Sequence, residues 1–299
     1  MSTVDSEVAS LLINLHGVFE NEKKDGGLYT SFFELNKGNK MIFNYCIGPA
    51  GSGKTTLIAT TYNYLTEKYK ELRIITVNLD PGVRNLPYTP HIDIRDYILL
   101  EEVMERYGLG PNGGLVAATD MIIDSIEDLK FEISEYNNPD VVLIDTPGQM
   151  ELFAFRNTGP MVVSSLGYGD VQKVVSFLFD PTICRHPSGY ISTMFLAGSV
   201  LYRFANIPQI NVLSKSDLLE PDILERVLAW SEDYDKLFLA TDKTERGLVR
   251  ELDSGISEIF ERLQNFPRLL SVSSLEFTGI EEYWGAIQRT LNFDESPYY

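Results

Sequence analysis

Eight consecutive residues, Gly48-Pro49-Ala50-Gly51-Ser52-Gly53-Lys54-Thr55, follow the pattern G-x-x-x-x-G-K-[ST], which suits phosphate binding. Glycines at 48, 51 and 53 permit backbone torsions that a Cβ forbids. The peptide N–H groups of such a loop can turn inward onto an anion, and a following helix N-terminus adds positive partial charge. Lys54 then reaches the β- and γ-phosphates, and the Thr55 hydroxyl is a ligand for Mg²⁺. Downstream, Asp145-Thr146-Pro147-Gly148-Gln149 closes a run of apolar residues. An aspartate in that position supplies the second Mg²⁺-site group of phosphoryl-transfer enzymes, and a glutamine nearby can orient an attacking water. Gly148 lets a backbone N–H approach the terminal phosphate. Asp80, ahead of Pro81-Gly82, is a second candidate carboxylate for the metal or the water. Taken alone, Asp80 reads equally well as a plain turn aspartate before proline.

These groups need a scaffold that delivers them to one place. Residues 41–47 and 141–144 are apolar and read as buried strands, and residues 56–65 read as a helix. Strands are expected also at 73–79, 171–179, 208–213 and 268–272. Helices are expected at 96–107, 115–136, 188–204, 218–238, 242–263 and 278–291, with a short one over residues 8–15. Between the helices at 96–107 and 115–136 lies a helix-breaking loop, Gly108-Leu109-Gly110-Pro111-Asn112-Gly113-Gly114. The alternation of strand and helix predicts an α/β fold, a mainly parallel central sheet with helices on both faces. Ligands of such sheets bind beyond the carboxyl ends of the strands, where every motif above falls. The expected organisation is an N-terminal extension of unknown role over 1–40, one domain over 41–293 with a helical insertion at about 84–137, and a frayed tail at 294–299.

Composition limits the partners. The chain has 299 residues, 44% of them apolar, and 25 basic against 43 acidic side chains give a net charge of −18. That charge disfavours direct binding to nucleic acid or an anionic membrane. It also requires the phosphate site to make its own local positive field. Cys46 and Cys184 form no metal-ligand spacing and fit a reducing, cytoplasmic setting. The N-terminal residues carry acids and no basic segment of a signal peptide, and no apolar run is long enough for a membrane span.

With Gly110-Pro111-Asn112 set between the phosphate loop and residues 145–149, the chain resembles the GPN-loop GTPases over roughly residues 41–291. Asn78-Leu79-Asp80-Pro81 and Glu151-Leu152-Phe153 support the resemblance. It implies a P-loop NTPase that works as a dimer, with the Gly-Pro-Asn loop of one subunit reaching the γ-phosphate site of the other. Asn112 adds no charge, so its help there would be positional. The resemblance also points to Ser214-Lys215-Ser216-Asp217 as the base-recognition turn, where G-proteins carry Asn-Lys-x-Asp. The Asp217 carboxylate suits guanine, since it can accept from the ring N–H and the exocyclic amine, and the Lys215 stem can lie over the base. Ser214 in place of Asn is expected to cost some rigidity. Ser273-Ser274-Leu275 falls where the family has its last base-binding turn.

The expected function is Mg²⁺-dependent hydrolysis of GTP to GDP and phosphate by a homodimer. Gly51, Ser52, Gly53, Lys54, Thr55, Thr56 and Gly148 would hold the phosphates. Thr55, Asp145 and Asp80 would serve the metal, and Lys215, Asp217, Ser273, Ser274 and Leu275 the base. Lys54, Asp80, Asp145, Gln149 and the Gly110-Pro111-Asn112 triplet would carry the chemistry. An ATPase of the same branch is an alternative, because the phosphate loop is blind to the base. A scaffold or assembly factor with an RNA polymerase client, in which hydrolysis is a slow timer, is another, and it follows from the resemblance alone.

Overall fold

The computed structural model describes residues 40–293 except 168–170, 245, 248–250, 252–254 and 256–265. The chain divides into two units, Met1–Lys40 and Met41–Tyr299. The helix expected at 8–15, the tail 294–299 and most of the helix expected over 242–263 lie outside the described residues.

β-branched and aromatic runs form the strands β1 (Met41–Ile47), β2 (Ile74–Asn78), β3 (Ile92–Asp93), β4 (Val141–Asp145), β5 (Val171–Phe179), β6 (Gln209–Leu213) and β7 (Leu269–Ser271). They make one seven-stranded sheet in the order β3-β2-β4-β1-β5-β6-β7, and every pairing is parallel. Strands buried on both faces read as near-continuous apolar runs rather than alternating ones, and β4 is buried along its whole length.

The side-chain alternation of β1 shows how both faces are covered. Phe43, Tyr45 and Ile47 enter the main apolar core, together with Ile126, Leu129 and Ile133 of one helix and Tyr190, Met194 and Val200 of another. These helices are α4 (Ile126–Glu135) and α8 (Pro187–Arg203). Asn44 points the other way, towards α11 (Ile280–Phe293). There its amide donates to the Tyr283 hydroxyl, Tyr283 donates to Ser176 Oγ, and Ser176 donates to Asn44 Oδ1, each at 2.7 Å. All three residues are buried. A closed ring in which every hydroxyl and amide is paired avoids the cost of an orphaned polar group. α1 (Lys54–Lys68) packs on this same face, against α11 and strands β1, β2 and β4.

The helical insertion differs from expectation. The segment expected as one helix from residue 96 is a 3₁₀ turn, Ile94–Asp96, followed by α2 (Leu100–Tyr107). Gly108 ends α2 in the left-handed conformation, φ +63, the usual place for glycine after a helix. The next helix, α3 (Pro111–Met121), starts four residues before the expected position 115. Gly110 is its N-cap and Pro111 its first residue, so Pro111 and Asn112 form the first turn of a helix rather than a loop. Proline is favoured there because its fixed φ suits the helix and its missing N–H would be unpaired anyway. Gly114 then lets α2 and α3 close up, since a Cβ there would stand 2.3 Å from Met104 Cγ.

Beyond β4 come two helices without a clear sequence signal, α5 (Met150–Phe153) and α6 (Thr158–Ser165). Another short one, α7 (Pro181–Cys184), follows β5. The helix expected over 218–238 breaks at Asp233 into α9 (Pro221–Glu232) and α10 (Tyr234–Thr244).

Candidate nucleotide site

Strand register decides where the motifs meet. Asp145 of β4 is level with Asn78 of β2 on one side and Cys46 of β1 on the other. Phe177 pairs with Ile47, and Leu213 is level with both Phe179 and Ser271. The turns that follow, at 48–53, 80–82, 146–149, 214–217 and 273–275, therefore leave one edge of the sheet side by side.

The phosphate loop joins β1 to α1 through Gly53, whose φ of +92 is a conformation that glycine alone adopts cheaply. Lys54 is 5% exposed. Its Nζ donates to the carbonyls of Gly48 at 2.8 Å, Pro49 at 3.0 Å and Gly148 at 3.0 Å. Burial pulls the Lys54 ammonium below its ordinary pKa, opposed by the charges of Asp145 and Asp80. Ser52 and Gly53 lie within the loop's fold, while Gly51 and Thr56 are exposed at its rim.

Asp145 is 1% exposed. Burial pushes its carboxyl up to about 6, although a hydrogen bond from Thr55 and the Lys54 charge pull in the opposite direction. Its Oδ1 is buried with no hydrogen-bond partner. An orphaned carboxylate oxygen beside a threonine hydroxyl suits a hard cation that prefers oxygen ligands. Among the described residues no group of three or more His, Cys, Asp or Glu is assembled. A Mg²⁺ site of the nucleotide type needs only one or two protein oxygens, completed by phosphate oxygens and water.

Asp80 bridges two turns. Oδ1 accepts from the Gly82 N–H at 2.9 Å and Oδ2 from the Gly148 N–H at 2.8 Å. Gly148 is thus held on both sides, its N–H by Asp80 and its carbonyl by Lys54. Gln149 is exposed and sits at the N-cap of α5 without a side-chain capping bond.

At the other end of the site, Asp217 Oδ1 accepts from Ser273 Oγ at 2.5 Å. Ser273 is itself fixed by a pair of backbone hydrogen bonds with Thr278, at 3.0 and 3.1 Å. Lys215, in the left-handed conformation at φ +49, lays its stem over Gly53. Its ammonium donates to the carbonyl of Gly51 and to Asp180 Oδ2 at 3.1 Å. The Ser214 hydroxyl stands 2.6 Å from the Ser52 carbonyl and 3.1 Å from that of Phe179, so it ties the turn at 214–217 to the phosphate loop. Ser274 accepts from Thr60 Oγ1 through its carbonyl at 3.4 Å, and Leu275 is 78% exposed.

Two groups escaped the sequence reading. Tyr88 places its hydroxyl 3.4 Å from Asp145 Oδ2; it lies in an irregular stretch between Pro87 and Pro90, where periodicity carries no signal. Asp180 pairs with Lys215 and caps α7, accepting from the Thr182 N–H at 2.8 Å. Burial works to raise its pKa, but the bonds from Thr182 and Lys215 outweigh it and hold the carboxyl below the ordinary range. The signal for Asp180 was present, since Asp180-Pro181 repeats Asp80-Pro81 at a strand end.

Gly110, Pro111 and Asn112 are exposed at the start of α3. Pro111 and Met104 share a cavity of about 440 Å³ with Pro81 and Gly82 of the Asp80 turn. Exposed apolar side chains surround the triplet: Leu99 at 48%, Tyr107 at 54% and Leu109 at 36%. No helix among the described residues is long and apolar enough to cross a membrane.

Comparison with known proteins adds names to this geometry. A family model described as "Conserved hypothetical ATP binding protein" matches residues 46–293. The chain is 36% identical over 240 residues to GPN-loop GTPase PAB0955 of Pyrococcus abyssi, covering 79% of this chain and 92% of that protein. It is 32% identical over 262 residues to GPN-loop GTPase 1 of Schizosaccharomyces pombe, covering 84% and 69% respectively. Against GPN-loop GTPase 1 of Dictyostelium discoideum the identity is 33%, and the match spans 59% of that longer protein. The crystal structure of PAB0955, described as a GTPase in apo form, superimposes with a TM-score of 0.72 over 84% of this chain and 97% of that one.

Proposed function

The chain belongs to the GPN-loop GTPases, and from that membership we propose that it hydrolyses GTP to GDP and phosphate with Mg²⁺, as a homodimer. The observation that carries the reading is the convergence of Lys54, Asp80, Asp145 and Gly148 through hydrogen bonds and charge at one sheet edge.

Lys54 exchanges its three carbonyl partners for oxygens of the β- and γ-phosphates. Thr55 and the orphaned oxygen of Asp145 would hold the cation. When bound, Mg²⁺ neutralises charge building up on the β- and γ-phosphates. Phosphoryl transfer of this kind is mostly positioning and electrostatic stabilisation, with no strong base needed. Asp80 orients the attacking water once Gly148 turns its N–H to the terminal phosphate, and Gln149 assists from the rim.

Guanine is favoured over adenine by Asp217. Its carboxylate is oriented by Ser273 and keeps acceptor capacity on both oxygens for the ring N–H and exocyclic amine of guanine; adenine lacks that donor pair. The ATP-binding description of the family model is the rival reading, and Asp217 argues against it.

The dimer reading rests on the exposed Gly110-Pro111-Asn112 turn and the apolar side chains around it, which a second copy would cover. Asn112 then completes the partner's site by positioning. A nucleotide-timed assembly role with an RNA polymerase client rests on the family resemblance. A reducing, cytoplasmic setting is supported by two buried free cysteines.

The test is GTP turnover measured against protein concentration, alongside molecular mass in the presence of GDP and of a non-hydrolysable GTP analogue. Turnover per chain is expected to rise with dimer content, to resist excess ATP, and to fall in Asn112→Ala with GTP affinity retained. A monomer with concentration-independent turnover would refute the dimer, and effective competition by ATP would refute the base assignment.

A further inference from the structure

A second concave site lies apart from the phosphates. A cleft of about 580 Å³ opens between the α7–α8 turn, α9 and α10, within the roughly 300–1,000 Å³ range of ligand pockets. Its rim carries Arg185, His186, Arg226, Lys236 and Lys243. Its floor and wall are apolar: Trp230, buried and stacked edge-on against Tyr190 at 5.6 Å, Ile223, and Leu239, which is 55% exposed. Among the described residues no acidic side chain lines it.

That lining runs against the rest of the molecule. The chain carries 43 acidic and 25 basic side chains, yet four Lys or Arg residues crowd one small concavity. Asp233 lies 3.6 Å from Lys236, and the Arg226 Nε donates to the carbonyl of Asp222 at 3.2 Å. Like charges held together cost free energy unless an anion is drawn to them. The apolar lining adds a requirement that charge alone does not meet, since Leu239 is 55% exposed and Ile223 is only partly buried beside it.

We propose that this cleft is a docking site for a short acidic peptide segment carrying an aromatic or aliphatic anchor, presented by a partner protein. Carboxylates pair with the rim cations while the anchor packs on Leu239 and Ile223, and the Lys and Arg stems pack along it. Nucleic acid fits less well. It needs a continuous basic track, whereas here the cations ring a hollow on a chain of net charge −18. The site is reached from the base-recognition turn through α7, whose cap Asp180 holds Lys215.

The full-length protein would be titrated against a short fluorescein-labelled peptide in which Glu and Asp alternate with Leu and Phe, read by fluorescence anisotropy. Saturable binding that weakens with added salt is expected. Arg226→Glu with Lys243→Glu should weaken it by about tenfold or more, and Leu239→Ser by a smaller factor. Basal GTP turnover and the circular dichroism spectrum should not change, since all three side chains are exposed and none belongs to the nucleotide site. An oligoglutamate peptide and a single-stranded oligonucleotide should bind more weakly than the mixed peptide. The proposal is overturned if the mixed peptide does not saturate, if the charge-reversed variant binds it equally well, or if either comparison ligand binds as tightly.

Discussion

Asp80 and Gly148, on turns that follow different strands, are joined by a 2.8 Å hydrogen bond from the glycine N–H to Asp80 Oδ2. The bond ties the turn after β2 to the turn after β4, and the second Asp80 oxygen secures the Gly82 N–H. Asp80→Asn retains one acceptor and places an amide donor against one of the two N–H groups. Bonds to charged groups are each worth about 1.5–3 kcal/mol. Turnover should fall about tenfold to a hundredfold while GTP affinity changes only a few-fold. Rapid-quench measurement of a single turnover, beside a binding titration, separates the two; equal losses of both would show that the bridge only maintains the fold.

Ser214 is a brace. Its hydroxyl sits 2.6 Å from the Ser52 carbonyl in a buried position. Ser214→Ala leaves that carbonyl without its partner, at a cost of about 1–3 kcal/mol. Guanine nucleotide affinity should fall by about tenfold, because both the base turn and the phosphate loop lose their tie. Calorimetric titration with GDP checks it, and unchanged affinity would restrict the hydroxyl to a local role.

His91 gives the molecule a pH dependence that is independent of the nucleotide. Its Nδ1 lies 3.2 Å from the Thr76 N–H, a bond that only the unprotonated nitrogen can accept, and burial lowers its pKa below 6.5. A histidine with a lowered folded-state pKa contributes stability that is full above pH 6.5 and is lost as the pH falls from there through the folded value. The urea midpoint should therefore drop between pH 7.5 and pH 5. His91→Asn, which keeps a neutral acceptor, should flatten part of that drop; identical slopes in the two proteins would assign it to other groups.

Gly114 sets how closely α2 and α3 pack. Gly114→Ala would place a Cβ 2.3 Å from Met104 Cγ and force the two helices apart. Overpacking of this kind costs about 1–3 kcal/mol. Thermal unfolding should shift down by several degrees, on the order of 2–4 °C per kcal/mol. Turnover should fall further than stability explains if the first turn of α3 has to be aimed at a second copy. Melting curves and turnover measured on the same preparation give the comparison.

The phosphate loop, the carboxylates at 80 and 145 and the strand–helix alternation were legible because each is local. A glycine at a required torsion, a lysine beside it and an apolar run that must be a strand depend only on near neighbours in the chain. The start of α3 was misread because a Gly-Pro-Asn-Gly-Gly string has low intrinsic helix propensity. Packing of Gly114 against Met104 and the N-cap at Gly110 override that propensity. Tyr88 and the Asn44–Ser176–Tyr283 ring were invisible because their partners lie far along the chain, 239 residues apart for Asn44 and Tyr283.

The sequence by itself therefore determined the parts: a phosphate loop, the strand-end turns that carry Asp80, Asp145 and Asp217, and the family the chain belongs to. Only the tertiary structure decided how they are held. Parallel register set the strand ends level, Asp80 caught Gly148 across two turns, and Ser214 tied its own turn to the phosphate loop. It also gathered cations from α9, α10 and the turn between α7 and α8 around one apolar cleft. The reason is physical in each case: a hydrogen bond or a charge cluster between residues distant in sequence has no periodicity to read, and it exists only once the chain has packed.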